Sequence, residues 1–369
     1  MRYILQHINT IIETYKGDIP LSHFLKIYFK QYPILGSRDR RTLSAMAYGW
    51  YRSAKGIGNN TMYIEVLTRL LNENKLLATP LTELLSATPE TALQFSLEKL
   101  FPFDLELSSG ITRESWLTSM LTQPDLFIRI RKDKGKVISL LNFQQIPFTF
   151  ITDSCLALPN GAKIDALLPD DTYMVQDASS QQTGSYFSPA KNELWYDCCS
   201  GAGGKSLLLK DLEPGVRLTV SDKRESIIHN LLQRFKLYRH TLPVTHIADV
   251  ANKEAFDNKI GTKLFDNIIC DAPCSGSGTW ARTPEQLHFF KPDSINDFAA
   301  LQKKIAVNVA AHLKEGGRLI YITCSVFRKE NEEVVEEIIK QTGLQLVTAQ
   351  LINGISIKAD SMFIAVLKK

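Results

Sequence analysis

The chain has 369 residues, with 43 Lys plus Arg against 39 Asp plus Glu and a formal net charge of +4. Its hydrophobic share of 44% and charged share of 22% are ordinary globular values, which exclude disordered, collagen-like and fibrous classes. No apolar run approaches the ~20 residues a membrane helix needs, and the mild basicity permits an anionic partner without demanding one.

At roughly 150 residues per domain, two or three domains are expected. The N-terminal stretch MRYILQHINTIIETYKG is amphipathic and has no small-residue cleavage site, so it reads as a helix and not as a signal peptide. Apolar residues recur at helical spacing there, in LSHFLKIYFKQY and in MYIEVLTRLLNENKLL, with Pro20, Pro33, Pro80 and Pro89 as punctuation. SRDRRTLSAMAYGWYRSAKG predicts another helix with Ser37 as its N-cap. Arg38, Arg40 and Arg41 at its start read first as a solvated face and second as phosphate contacts. Near residue 120 strand-like and helix-like segments mix, and Arg129, Arg131, Lys132, Lys134 and Lys136 form a basic run. Such a run is ordinarily a wet surface and gains meaning only beside other evidence for nucleic acid.

From about residue 190 strands and helices alternate. LWYDCC, RLTVSD, PVTHIAD, FDNIICDAP and RLIYITCS read as strands, with helices such as SIIHNLLQRFKLY and DFAALQKKIAVNVAAHL between them. LQLVTAQ and SMFIAVLKK close the chain as further strands. This alternation predicts parallel βαβ units with helices on both faces. The first of these strands runs into SGAGGKS, a turn of the kind that brings backbone N–H groups close to a ligand. The turn fits neither rival motif in full. A phosphate-binding P-loop needs Gly where Cys199 stands, and a dinucleotide fingerprint needs Gly or Ala where Ser206 stands. A nucleoside ligand such as S-adenosylmethionine stays open beside them. Asp197, Asp222, Asp249 and Asp271 fall at or near successive strand ends, the edge where open α/β sheets bind ligands. Asp222 stands where a ribose diol would be held, and Asp249 suits the adenine side.

Cys274 in DAPCSGSG and Cys324 in TCS leave their strands in polar turns that a core thiol does not need. Their spacing and the lack of a histidine pair argue against zinc, and no metal is expected. With five of the six cysteines in the C-terminal half, no secreted disulfide framework is legible, so the thiols read as reduced and the chain as cytoplasmic. Two thiols beside a methyl donor fit covalent catalysis at a pyrimidine. A thiolate added to C6 makes C5 nucleophilic, and a second thiol or a water assists release. Asp271 could hydrogen-bond N3 of the base. The residues alone do not say which thiol attacks.

DCCSGAGGKS, SDKRESIIHN, IADV, DAPCSGSGTWAR and YITCSVFRKENEEVV together resemble the RNA (cytosine-5)-methyltransferase family, whose bacterial rRNA members are called RsmB, Fmu or Sun. VQDASSQ and DSMFIAVLKK resemble the segments flanking its core, and SRDRRTLSAMAYGWYR resembles its NusB-like domain. The resemblance implies an α/β fold. A Rossmann-like class I methyltransferase domain with a mostly parallel seven-stranded sheet would span 186–369, after a small α+β RNA-binding subdomain at 120–185 and an all-α NusB-like RNA-binding domain at 1–115. It implies S-adenosylmethionine as methyl donor, held by Cys199, Ser200, Gly201, Ala202, Gly203, Gly204, Lys205, Asp222, Asp249 and Asp271. It makes Cys324 the nucleophile, ties Cys274 to product release and places Asp271 at the reacting centre. The implied partner is RNA, rRNA before tRNA, met by Arg129, Arg131, Lys132 and Lys134, with the protein taken as a monomer. The loop has Ala202 where the family has Pro, a loss of ~0.4–1 kcal/mol through unfolded-state entropy. The rival from another class is a non-catalytic RNA-binding assembly factor.

Overall fold

The computed structural model describes residues 2–57 and 95–369. The helix expected over MYIEVLTRLLNENKLL, with Pro80 and Pro89, lies outside the described residues. The chain divides into two compact units. One takes the described residues up to Leu105 with Thr112–Pro124 and Thr279–Pro292; the other takes Glu106–Ile111, Asp125–Gly278 and Asp293–Lys369.

The first unit is helical. Helices α1 (Arg2–Thr14), α2 (Leu21–Gln31) and α3 (Ser37–Ile57) bury one apolar stripe each. Ile8 and Ile11 of α1 meet Leu21 and Leu25 of α2 and Leu43, Met46, Ala47 and Trp50 of α3. Spacings of three and four residues put these side chains on one face, and each large one contributes about 1.5–3 kcal/mol on burial. Ser37 is the first helical residue of α3 rather than its cap, and the Asp39 carboxylate accepts the Gly36 N–H at 3.1 Å. The segment Thr279–Pro292 belongs to this unit although it follows the Cys274 loop in sequence. Its Phe289 packs against the helical core, and its Glu285 accepts the Leu21 N–H at 3.1 Å.

The second unit holds two sheets. A small antiparallel sheet contains β1 (Leu126–Ile130), β2 (Thr149–Phe150), β3 (Cys155–Leu158) and β4 (Tyr173–Val175), in the order β2-β3-β1-β4. The large sheet contains β5 (Leu194–Asp197), β6 (Arg217–Asp222), β7 (Val244–Ile247), β8 (Phe265–Asp271), β9 (Leu313–Thr323), β10 (Gln345–Ile352) and β11 (Met362–Lys368). Its order is β10-β11-β9-β8-β5-β6-β7. The strands from β9 to β7 pair in parallel, and β11 runs antiparallel to both β9 and β10. All seven strands expected from the apolar runs are present. The large sheet is a mostly parallel, Rossmann-like α/β sheet.

Period-two alternation explains the two covered faces. Tyr196, Ile268, Cys270 and Tyr321 point into one core cluster, while Trp195, Ile269, Ile320 and Ile322 point into the other. The chain enters the parallel sheet at β5, winds outward through β6 and β7, then returns to β8 on the other side of β5. That reversal is a topological switch point, and it opens a crevice beyond the C-terminal ends of β5 and β8.

Candidate active site

The glycine turn follows β5 directly. Ser200 N–H donates to the Ser221 carbonyl at 2.9 Å and Gly203 N–H to the Ser200 carbonyl at 2.8 Å, which folds the turn back on itself. Gly203 sits at φ 85° with Leu231 packed against its Cα, so a side chain there would be strained and crowded. The helix Gly204–Leu212 then begins, with no side chain capping its N-terminus. Beneath the turn Asp197 is fully buried and accepts the Ser206 hydroxyl at 2.6 Å. Burial pushes its carboxyl up to about 7.

At the end of β6, Asp222 is 8% exposed. Arg224 donates to it through Nε and Nη2 at 2.9 Å each. Burial alone would raise this carboxyl, but Arg224 and the Gly201 N–H outweigh it and hold Asp222 below the usual carboxylate range. Asp249 lies beyond β7, is exposed, and accepts the Ala251 N–H at 3.1 Å. At the end of β8, Asp271 pairs with the buried Lys205 at 3.2 Å, and Lys205 also donates to Ser180 at 3.0 Å. The structure therefore draws Lys205 out of the glycine turn toward Asp271, and Ser180 of VQDASSQ joins them.

The two loop cysteines meet. Cys274 follows β8, Cys324 follows β9, and their Sγ atoms are 3.3 Å apart with no disulfide between them. β8 and β9 are parallel neighbours, so both thiols leave the sheet at the same edge. Cys324, burial and the Glu330 charge, in that order, push the Cys274 thiol well up. Gly278 sets how closely the loops approach: its N–H donates to the Cys324 carbonyl at 2.8 Å and its carbonyl accepts from Ser361 N–H at 2.9 Å. A Cβ at Gly278 would run into the Ser361 carbonyl oxygen, so only glycine fits.

The family model described as 16S rRNA methyltransferase RsmB/F matches residues 185–366. Over those residues, just under half of its length, the chain is similar to the RsmB/F methyltransferase family. A ribosomal RNA small subunit methyltransferase B from Shewanella oneidensis is 34% identical over 190 residues, 51% of this chain and 43% of that protein. One from Vibrio vulnificus is 30% identical over 223 residues, 59% of this chain and 51% of that protein. The chain thus spans about half the length of the curated relatives it matches. Among solved structures, PH0851 aligns with a TM-score of 0.75 over 99% of this chain and 97% of that one, at 18% identity, a likeness of fold.

The matched region contains the glycine turn, the strand-end carboxylates and both loop cysteines. The crevice fits a nucleoside methyl donor. A Cβ placed on Gly201 or Gly204 would meet nothing, so the turn faces open space, and the Asp222 carboxylate stands at its side. Among the described residues no group of His, Cys, Asp and Glu is arranged to hold a metal ion.

The two arginines of the basic run ahead of the matched region are turned inward. Arg129 is 5% exposed, pairs with Asp211 at 2.5 Å and donates to Gln176 at 2.9 Å. Arg131 pairs with the same Asp211 at 2.7 Å, and His240 completes the cluster at 2.7 Å. Their partner lies some eighty residues away in sequence, so spacing within the run could not reveal it. Lys132 and Lys134 stay half-exposed in ion pairs with Asp171 and Asp153.

Sequence reasoning assigned no role to Glu330, which is 0% exposed and accepts from both loops that carry the cysteines. Its setting in RKENEE looks like a solvated charge run, and nothing local marks it as buried.

Proposed function

We propose that this chain transfers a methyl group from S-adenosylmethionine to C5 of a cytosine in RNA, rRNA before tRNA, as a cytoplasmic enzyme. The observation that carries the reading is the pair of thiols 3.3 Å apart at the crevice edge. An enzyme that methylates an exocyclic amine has no use for them.

The donor supplies an electrophilic methyl group at the mouth of the glycine turn. Asp222 holds its ribose, the turn from Cys199 to Gly204 cradles its polar end, and Asp249 lies on the adenine side. Cys324 as thiolate adds to C6 of cytosine, which makes C5 nucleophilic toward the methyl group. The C5 proton then passes to a base, a water or the Cys274 sulfur, the C5–H electron pair re-forms the C5–C6 double bond, and Cys324 departs as thiolate. Cys274 is tied to that release. Asp271, in its acid form, donates a hydrogen bond to N3 of the base.

RNA contact moves toward the helical unit, within the functional domains read as 1–115, 120–185 and 186–369. His23, Lys26, Lys30 and Arg40 line a groove of about 350 Å³ with Ile27 and Phe29. Among the described residues no carboxylate pairs with these cations. Arg38, Arg40 and Arg41 stand in the first turns of α3, where cations oppose the helix dipole. A surface that keeps charge against its own stability suits a phosphodiester backbone. Lys132 and Lys134 add exposed cations, while Arg129 and Arg131 hold the protein together.

The test is methyl transfer from radiolabelled donor to ribosomal RNA, followed by nucleoside analysis. Label in 5-methylcytidine supports the reading. Label in another nucleoside, or none with folded protein and intact RNA, overturns it.

A further inference from the structure

We propose that Asn331 is the positioning residue of the nucleophile: its side-chain amide fixes the two residues that flank Cys324 and so holds the Cys324 sulfur for attack at C6. The inference rests on the two-thiol reading above and adds the group that places the attacking thiol.

Cys324 is the first residue beyond β9, whose pairing with β11 ends at Thr323 and Phe363. The sheet therefore fixes the chain up to Thr323 but not the residue that attacks. Side chains take over from there. The Thr323 hydroxyl accepts the Ser325 N–H at 3.2 Å, which closes a turn around Cys324. The same hydroxyl donates to the Asn331 Oδ1 at 2.5 Å, and the Asn331 Nδ2 donates to the Ser325 carbonyl at 2.9 Å. One amide thus grips the residue before Cys324 and the residue after it.

The second N–H of that amide goes to the Ser108 hydroxyl at 2.8 Å. Ser108 is itself held, because its N–H donates to the Val326 carbonyl and its hydroxyl to Glu332, each at 2.8 Å. Asn331, Thr323 and Ser325 are all 0% exposed, so water offers no substitute partner. With both amide N–H groups used, the side chain cannot turn without leaving a buried donor unpaired. The chemistry needs an amide here. A donor and an acceptor must face one turn from a single planar group, and a carboxylate would lose the donors and put a charge near the thiolate. Among the described residues the Asn331 side chain bonds to Thr323, Ser325 and Ser108 and to nothing on the Cys274 loop. It places one thiol and not the other.

Small-subunit rRNA transcribed with 5-fluorocytidine, mixed with excess protein and S-adenosylmethionine, reads the step directly. The Cys324 sulfur bonds C6 and C5 takes the methyl group, but fluorine cannot leave C5 as a proton does. The adduct accumulates, and denaturing electrophoresis gives its rate. Thr323→Val keeps the shape and removes the hydroxyl; Asn331→Asp keeps the shape and removes both donors. Each slows adduct formation about a hundredfold, the effect of a reacting atom misplaced by ~1 Å, while Kd for RNA and for the donor is unchanged. Thr323→Ser, which regains the hydroxyl, recovers most of the rate. The Thr323 pair carries the test if Asn331→Asp does not fold. Parent rates in folded Thr323→Val, or a loss confined to affinity, would overturn the proposal and leave Asn331 a structural brace only. No adduct with the parent protein would overturn the cytosine reading and the inference with it, so the two failures are told apart.

Discussion

Cys274 and Cys324 stand fifty residues apart in the chain, yet their sulfur atoms lie 3.3 Å apart. The parallel pairing of β8 with β9 delivers both to one edge of the sheet, and the close approach at Gly278 draws their loops together. The chemistry proposed for this protein begins from that contact.

The two thiols differ in what their loss does. Cys324→Ala abolishes turnover and any covalent RNA adduct. Cys274→Ala still forms the adduct but releases it slowly, so a protein–RNA species survives denaturing electrophoresis. The reverse pattern would exchange the two roles.

Asp211 anchors the small sheet to the helix after the glycine turn. Burial alone would raise its carboxyl, but His240, Arg131 and Arg129 outweigh it and hold Asp211 well below the usual carboxylate range. A depressed folded-state value confers stability above the unfolded carboxylate range, near 3.9, and loses it as pH falls further. Asp211→Asn therefore lowers stability by about 3 kcal/mol at neutral pH. Urea unfolding at pH 7 and pH 3 checks this: the difference from the parent protein shrinks at the lower pH.

The groove on α2 and α3 is read as a phosphate-contacting face. Lys26→Ala with Lys30→Ala flattens the slope of log affinity against log salt by about 1.4–1.8, as two lost phosphate contacts require. Arg129→Ala lowers the melting temperature and leaves that slope unchanged. Filter binding over a salt series separates the two.

Asp222 holds a charge-assisted position at the mouth of the glycine turn. Asp222→Ala raises KM for the methyl donor by roughly ten- to a hundredfold, the scale of one hydrogen bond to a charged group. The value of kcat changes little, because the group touches no reacting atom. Equal losses in kcat and kcat/KM would place Asp222 nearer the chemistry.

Much of the region from β5 onward is legible in the chain because its determinants are local. Apolar runs ending in Asp222 and Asp271 mark both the strands and the ligand edge, and the polar turns that hold Cys274 and Cys324 set these thiols apart from core cysteines. What resists reading depends on distant partners. Arg129 and Arg131 look like a wet basic run until Asp211 is seen beside them. Glu330 sits among charges that face solvent, and only the meeting of two loops buries it. The segment Thr279–Pro292 packs with the helical unit through Phe289 and Glu285, residues whose partners lie more than two hundred positions away.

Bisulfite sequencing of total RNA from cells with and without this gene is the most direct test of the central claim. 5-Methylcytosine resists the deamination that converts cytosine, so activity and position are read together. The account predicts the loss of one protected cytosine in small-subunit rRNA, restored by the parent gene and not by Cys324→Ala. Unchanged protection at every cytosine in every RNA would contradict it.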